Sequence, residues 1–332
     1  MNRVAILNSS MDFAFIIDPI DRLDPTHDSS IALMEAAQVL GHRVWITQAE
    51  HLEVRESKAW AALSPVSLSP VELVDGHWVA ADSWFDVGEV QMRPLEEMQA
   101  VFMRTDPPVT TAYLYATFIL DYVNPEKTLV VNAPAGLRHA NEKMYAQQFT
   151  GAIPKTIVTA NKASIREFVD EQEKAVLKPL GGMAGEGILI LEKGDRNFSS
   201  LIELSTKNGQ LQVMVQQFLP EAKNGDKRII VLDGEPIGAV NRVSTGEEFR
   251  NNMAVGGRVE KVEITERERD IARQLAPKLQ QDGLYFVGLD IIGNYLTEVN
   301  VTSPTGIREI DRLNDVRLGE TTISWVCNRL TN

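Results

Sequence analysis

The sequence predicts an α/β protein of two or three subdomains, and three observations predict it. Phe13–Asp18 reads as a buried strand, Asp28 to about Leu40 as a helix, and Arg43–Thr47 as a second strand. That order begins an α/β layer. At 332 residues and 36.9 kDa, the chain exceeds what one hydrophobic core usually serves. Near the C-terminus, Leu284–Val301 reads as two strands about a Gly293-Asn294 turn, which adds an antiparallel unit.

In chain order, Pro19 ends the first strand, Asp28 caps the first helix and Gly41 stops it. Between Glu50 and Ala100, Pro65, Pro70 and the Asp75-Gly76 turn predict short antiparallel pieces. Ala100–Arg104 and Thr128–Asn132 read as further strands, with a helix over about Tyr113–Tyr122 whose aromatic residues are expected to pack in the core. Asn141–Phe149 and Ser164–Gln172 are predicted helices. Ala175–Pro179, Gly187–Glu192 and Leu211–Phe218 are predicted strands. Arg228–Leu232 and Pro236–Val243 form a hairpin about Asp233-Gly234. Glu266–Gln281 is an amphipathic helix with Ile271, Leu275 and Leu279 on one face. The expected division is 1–136, 137–220 and 221–332.

Composition excludes several function classes. A net charge of −13 argues against nucleic acid or an anionic membrane as partner. No run is long enough to cross a bilayer, and the N-terminus lacks the pattern of a signal peptide, so the expected compartment is the cytoplasm. The single cysteine, Cys327, reads as an apolar filler with no suggested histidine partner. The five histidines show no zinc spacing.

Asp290, Glu298 and Asn300 are out of place in apolar strands unless something pairs with them. Oxygen ligation of Mg²⁺ would supply that partner. Alternation puts Val287, Leu289, Ile291, Thr297, Val299 and Val301 on one face if Asp290 lies opposite Glu298. A three-residue loop, Gly293-Asn294-Tyr295, gives that register. A surface hairpin with a polar outer face is the other reading.

Four further segments carry chemistry. Leu177–Gly187 places Lys178 at a strand end before a loop of four glycines, where backbone N–H groups can approach an anion. Gln216–Pro220 follows a strand and leaves backbone groups for an adenine edge, or serves only as a linker. Lys227, Arg228, Arg242, Arg250 and Arg258 form a basic cluster suited to carboxylate or phosphate oxygens. Arg228 and Arg242 share a face only if their hairpin closes with odd parity, which the turn leaves open. Residues 244–258, polar and glycine-containing, read as a lid over a water-sensitive intermediate. The set suits phosphoryl transfer to an oxygen nucleophile.

Short stretches then place the chain. DSS at 28–30, MRTDPP at 103–108, NEKM at 141–144, LKPLGG at 177–182, GDKR at 225–228, AVGGR at 254–258, FVGLDII at 286–292, TEVNVTSPT at 297–305 and IREI at 307–310 resemble, in identity and order, the prokaryotic glutathione synthetase family of the ATP-grasp superfamily. The resemblance implies an ATP-grasp fold: an N-terminal α/β domain followed by two subdomains that sandwich ATP. It implies that Lys143, Lys178, Gly181, Gly182, Gln216, Gln217, Phe218, Leu219 and Asp226 bind the nucleotide. It implies that Asp290, Glu298 and Asn300 hold Mg²⁺, with Mn²⁺ as an alternative, and that Arg228, Arg242 and Arg250 stabilise an acyl phosphate. Asp18, Ser29, Arg104, Thr302, Ser303 and Thr305 are the implied substrate residues. The implied substrates are γ-glutamylcysteine and glycine, and the implied assembly is a homo-oligomer, a tetramer by resemblance. Gly306 stands where a larger residue is expected. The rival readings are another ATP-grasp ligase, such as one acting on D-alanine, and a nucleotide-binding module without catalysis.

Overall fold

A computed structural model describes residues 10–182, 185–244 and 258–331. Its first sheet has eight strands, in the order Leu129–Val131, Ala100–Met103, Asp12–Ile16, Arg43–Thr47, Lys58–Leu68, Leu52–Arg55, with Phe85–Val87 and Gln91–Pro94 also paired to Lys58–Leu68. The first four are mutually parallel. The Ser29–Val39 helix links the strands at 12–16 and 43–47, and Asp28 caps it by accepting from the Ser30 and Ile31 N–H groups. Parallel strands present functional loops at their carboxyl ends. Asp18 and Arg104 follow two of those ends.

The stretch from 50 to 100 is antiparallel as expected, with a correction. Pro65 lies inside the eleven-residue Lys58–Leu68 strand rather than breaking it. Its carbonyl accepts from the Gly88 N–H, so this position uses only an acceptor and tolerates proline. The Asp75-Gly76 turn closes a separate two-stranded hairpin, Glu72–Val74 with His77–Val79.

A second sheet, of four strands, is ordered Thr156–Thr159, Val213–Gln217, Lys174–Pro179, Leu189–Glu192. Its own small core, including Ile165, Val169, Leu177, Ile202 and Val215, takes nothing from outside this region. The third sheet has five antiparallel strands, in the order Arg258–Lys261, Glu235–Val243, Asp226–Leu232, Phe286–Ile292, Tyr295–Asn300. One face packs Ile229, Val231, Val287, Leu289 and Val299 against Ile271, Leu275 and Leu279 of the Glu266–Gln281 helix, a core continuous with the first sheet. On the other face, the apolar end packs with Ile307 and Ile310 of the Ile307–Asn314 helix and with Ile31 and Leu33 of the first helix.

The Thr111–Leu120 helix departs from expectation. Tyr113 is buried, but Tyr115, Phe118 and Tyr122 are at least half exposed. The helix has one covered side, against the segment at 134–139 and the strand at 52–55, and these three residues lie off it.

Candidate active site

Two hairpins build the polar face of the third sheet, and each uses the same device. In the strand pair at 286–292 and 295–300, Asp290 lies opposite Glu298 and Gly288 opposite Asn300, the register the sequence predicts. The loop that closes it is shorter than predicted: Ile292 pairs with Tyr295, so only Gly293 and Asn294 turn the chain. A β-bulge between Asp290 and Ile291 restores the parity. The Thr297 hydroxyl donates to the Asp290 carbonyl at that bulge, and Leu296 fills the core beside Ile291. An extra residue in one strand shifts the alternation by one, as an odd loop would.

The hairpin of Asp226–Leu232 with Glu235–Val243 repeats the pattern. Asp233 and Gly234, both at positive φ, form a two-residue turn, and a bulge lies between Ile230 and Val231. Asp226 then pairs with Arg242, and Arg228 with Val240. Arg228 and Arg242 therefore share a face, which settles the question of parity.

These registers align a row of charge across four strands. Arg228 lies opposite Asp290 and Asp290 opposite Glu298, with the Asp226–Arg242 pair alongside. Arg228 donates from Nε to Asp290 Oδ1 at 2.5 Å and from its second amino group to Oδ2 at 3.0 Å. Arg242 reaches Asp226 Oδ2 at 2.6 Å and Asp290 Oδ2 at 3.0 Å. Both guanidinium groups hold the Asp290 carboxyl well below the usual carboxylate range, outweighing its burial. Asp226 is pushed the other way by burial, against the pull of Arg242. Two polar atoms in this knot are buried without a partner among the described residues: Asp226 Oδ1 and Arg242 Nε. A buried polar group without a partner carries a desolvation cost.

Facing the knot are two lysines. Lys143, in the Glu142–Ala146 helix, pairs with Glu298 at 2.9 Å. Lys178, at the end of Lys174–Pro179, donates to the Gln216 side chain at 2.9 Å. Desolvation in the cleft lowers its pKa, partly opposed by Glu298 and Asp226. Gly181 and Gly182 follow in the glycine loop, Gly182 at positive φ, and a Cβ at either would meet nothing within 4 Å. Asn141 ties this loop down by donating to the Leu180 carbonyl. Gln216 is buried, and its own amide donates to Thr156. The Gln217 and Phe218 N–H groups are already paired with the Lys155 and Lys174 carbonyls, and the Leu219 carbonyl accepts from Ala222. The strand end thus leaves fewer free backbone groups than the sequence suggests.

The expected substrate residues gather around the segment at 302–307. The Ser29 hydroxyl accepts from the Gly306 and Ile307 N–H groups. Arg104 is buried and donates to Ser30 and to the Pro304 carbonyl. Asp18 accepts from the Asp106 N–H, and Asp106 bonds to Ser303. Arg228 also donates to the Thr305 carbonyl. The Thr302 hydroxyl donates to Glu142 Oε1, which accepts as well from the Val301 and Thr302 N–H groups. Gly306 has φ +124°, a conformation that disfavours the larger residue expected there.

Sequence reading misses two residues of this frame. Glu142 is one. Asn132 is the other: its amide donates to the Phe286 and Val301 carbonyls and accepts from the Phe286 N–H, stapling the first sheet to the third. Neither has a local signal, because each acts on chain more than 150 residues away. A third miss lies far from the site. His42 Nε2 is 3.2 Å from the Cys327 sulfur, a neighbour the sequence does not suggest. Met11 N–H donates to His42 Nδ1, so the ring proton sits on Nε2 and points at sulfur. Burial also raises the Cys327 pKa, so this thiol is not activated.

The donor set for a cation is in register but not preassembled. Asp290, Glu298 and Asn300 lie on one face, the oxygen chemistry a hard divalent ion requires, and the orphaned Asp226 oxygen is on the same face. Among the described residues no three acidic, cysteine or histidine side chains form a group that could hold a metal ion; arginines hold Asp290 and Lys143 holds Glu298. Arg250 and almost all of the expected lid, 245–257, lie outside the described residues.

Residues 142–315 match the ATP-grasp domain of prokaryotic glutathione synthetase, and residues 11–138 match its N-terminal domain. A glutathione synthetase of Thermosynechococcus vestitus is 66% identical over 95% of this chain and 99% of its own. That of Nostoc sp. is 65% identical over 95% and 98%. Among solved structures, the D-cycloserine synthetase DcsG superposes with a TM-score of 0.62 at 16% identity, over 96% of this chain and 99% of its own. The ATP-grasp ligase PsnB, complexed with a precursor variant, Mg and ADP, gives 0.60 at 17%, over 98% and 99%. These two likenesses establish the ATP-grasp fold.

Proposed function

The chain belongs to the prokaryotic glutathione synthetase family, and from that premise we propose how its residues divide the work. The reaction is the ATP-dependent ligation of γ-glutamylcysteine to glycine. The cysteinyl carboxylate takes the γ-phosphoryl group of ATP and ADP leaves. The glycine amine then attacks the acyl carbon, loses its proton, and expels phosphate to give glutathione.

One observation carries the assignment of roles: the Arg242 Nε–H is buried and has no partner among the described residues, beside two arginine-clamped carboxylates. It is a desolvated donor held where an anion would complete it. Arg228 and Arg242 are read as the groups that bind the acyl phosphate and the charge developing on the tetrahedral species. Their clamps fix them in place beforehand, so little reorganisation is needed as charge appears. Lys143 and Lys178 take the ATP phosphates, with Gly181 and Gly182 leaving the backbone open to them. Gln216, Gln217, Phe218 and Leu219 frame the base, and Asp226 contributes from the knot. Glu298, Asn300 and Asp290 would hold Mg²⁺, or Mn²⁺ in its place. Such an ion neutralises phosphate charge during transfer.

Asp18, Ser29, Arg104, Thr302, Ser303 and Thr305 are read as the residues that shape the substrate floor. The hydrogen bonds of Ser29 and Arg104 already hold the segment at 302–307, so their contribution is to position it. The roles are spread over 1–136, 137–220 and 221–332: the first and third share the substrate floor, the second supplies most of the nucleotide clamp, and the third carries the arginine face. We read the assembly as a homo-oligomer, a tetramer by family resemblance. The exposed Tyr115, Phe118 and Tyr122 are read as favouring association, since exposed apolar surface can mark a contact region. The compartment is read as cytoplasm and the partners as small molecules, without nucleic acid or membrane. No described helix is long and apolar enough to cross a membrane.

The test is phosphate release with MgATP, γ-glutamylcysteine and glycine. Turnover that requires both supports the reading. Turnover only with D-alanine, or nucleotide binding without turnover, overturns it.

A further inference from the structure

We propose that Glu142 is a positioning residue for the reaction: through one carboxylate oxygen it sets where the segment at 301–305 stands relative to the nucleotide phosphates. The proposal rests on the substrate and nucleotide assignments above. The strand Tyr295–Asn300 ends where Asn300 meets Gly288. Beyond that point the chain leaves the sheet, and its backbone groups need partners of another kind. Side chains supply them. Asn132 holds the Val301 carbonyl, Arg104 the Pro304 carbonyl and Arg228 the Thr305 carbonyl. Ser29 takes the Gly306 and Ile307 N–H groups. At the head of the segment, Glu142 Oε1 accepts from the Val301 N–H at 3.0 Å, the Thr302 N–H at 3.2 Å and the Thr302 hydroxyl at 2.5 Å.

Glu142 differs from the other holders in its neighbours. Asn141, Glu142 and Lys143 are consecutive, and each reaches a different part of the cleft. Asn141 donates to the Leu180 carbonyl at 2.9 Å, beside the glycine loop. Lys143 pairs with Glu298 at 2.9 Å. Glu142 grips the chain at 301–302. Asn141 also caps the Glu142–Ala146 helix by accepting from the Met144 N–H, so all three share one frame. That helix packs on the strand at 295–300. One short helix thus ties the phosphate loop to the first residues of the substrate floor. When Lys143 turns to the ATP phosphates, as assigned above, Glu142 still holds the exit of the strand.

Phosphoryl transfer needs the cysteinyl carboxylate and the γ-phosphorus near contact distance, and a misplacement of about 1 Å can cost about 100-fold in rate. A shared anchor for both reactants keeps that spacing. The three donors fall on one oxygen, and the other takes no hydrogen bond among the described residues. The segment therefore needs an acceptor at a fixed reach from the helix, and an amide of the same length can replace the carboxylate.

Reach and charge can be separated. Glu142→Gln keeps the accepting oxygen at its distance. Glu142→Asp keeps the charge but draws the oxygen back by one carbon, about 1.5 Å. Glu142→Ala removes it. In steady-state assays with glycine, MgATP and γ-glutamylcysteine, kcat/KM for the dipeptide should fall about tenfold or more in the Asp and Ala variants and stay within about threefold of wild type in the Gln variant. The KM for ATP should hold within about twofold in all three. Urea unfolding identifies a variant too unstable to assay, and Glu142→Asp keeps the test open if Glu142→Ala folds poorly. Dipeptide kinetics unmoved by Asp and Ala would leave Glu142 serving the fold alone and overturn the proposal. So would a Gln variant as impaired as Ala, or an ATP KM that rises in step with that of the dipeptide. If the wild type fails to turn over γ-glutamylcysteine with glycine, it is the functional reading that falls.

Discussion

The two cationic groups of the site are held in opposite ways. Arg228 and Arg242 are locked into a buried knot with Asp290 and Asp226, each salt-bridged within 3.0 Å. Lys178 faces them with a neutral amide as its hydrogen-bond partner, and Lys143 leans on one partly exposed glutamate. The arginines are fixed by a rigid sheet face. The lysines come from a short helix and from a small sheet with a core of its own. Preorganised donors belong where charge develops during reaction. Side chains proposed to receive and release a nucleotide are better left replaceable in their pairing. The two groups therefore answer mutation differently.

Asp290→Ala should have the largest effect. It strips two buried guanidinium groups of a shared counter-charge, a loss of about 3–5 kcal/mol by the measure of broken buried pairs. Urea unfolding reads it, and a change under about 1 kcal/mol would mean the knot is not a structural unit. Lys178→Met should invert that profile. Turnover should fall by about 100-fold or more, about 2.7 kcal/mol of transition-state stabilisation, while unfolding free energy moves by less than about 1 kcal/mol. Comparable losses in both quantities would erase the distinction between the groups.

A third test uses protons. Desolvation lowers the Lys178 pKa, so the folded protein disfavours its charge. The unfolded chain then binds more protons between the lowered value and the ordinary lysine value of about 10.4, and stability attributable to Lys178 rises with pH across that window. Bound phosphate charge restores the ammonium, so ATP binding should take up protons at alkaline pH. Calorimetry in buffers of different ionisation enthalpy measures the uptake, and its persistence in Lys178→Met would assign it elsewhere. The smallest effect concerns neither group. Tyr115→Ser with Phe118→Ser should shift sedimentation toward smaller species while monomer stability changes by about 0.5 kcal/mol or less.

The same contrast governs what could be read from the sequence. The polar face of the third sheet was legible because acids and arginines interrupt apolar strands at a period of two. The register of the 286–300 hairpin followed from that alternation, whereas that of the 226–243 hairpin stayed open in the sequence. The bulges beside Asp290 and Ile230 were not legible, since an extra residue costs no recognisable motif and only cross-strand pairing reveals it. An odd loop was therefore expected where a bulge does the same work. Asn132 and Glu142 escaped notice because their partners lie in another sheet. The aromatics of the 111–120 helix were misplaced for a related reason: aromatic content says that a surface is apolar, not that the same chain covers it.

The most direct test of this division is a crystal structure with Mg²⁺ and a non-hydrolysable ATP analogue. The account predicts that Lys143 leaves Glu298, now 2.9 Å away, for phosphate oxygens, while Arg228 keeps its two bonds to Asp290. An intact Lys143–Glu298 pair beside bound nucleotide, or arginines drawn off Asp290 in its place, would contradict it.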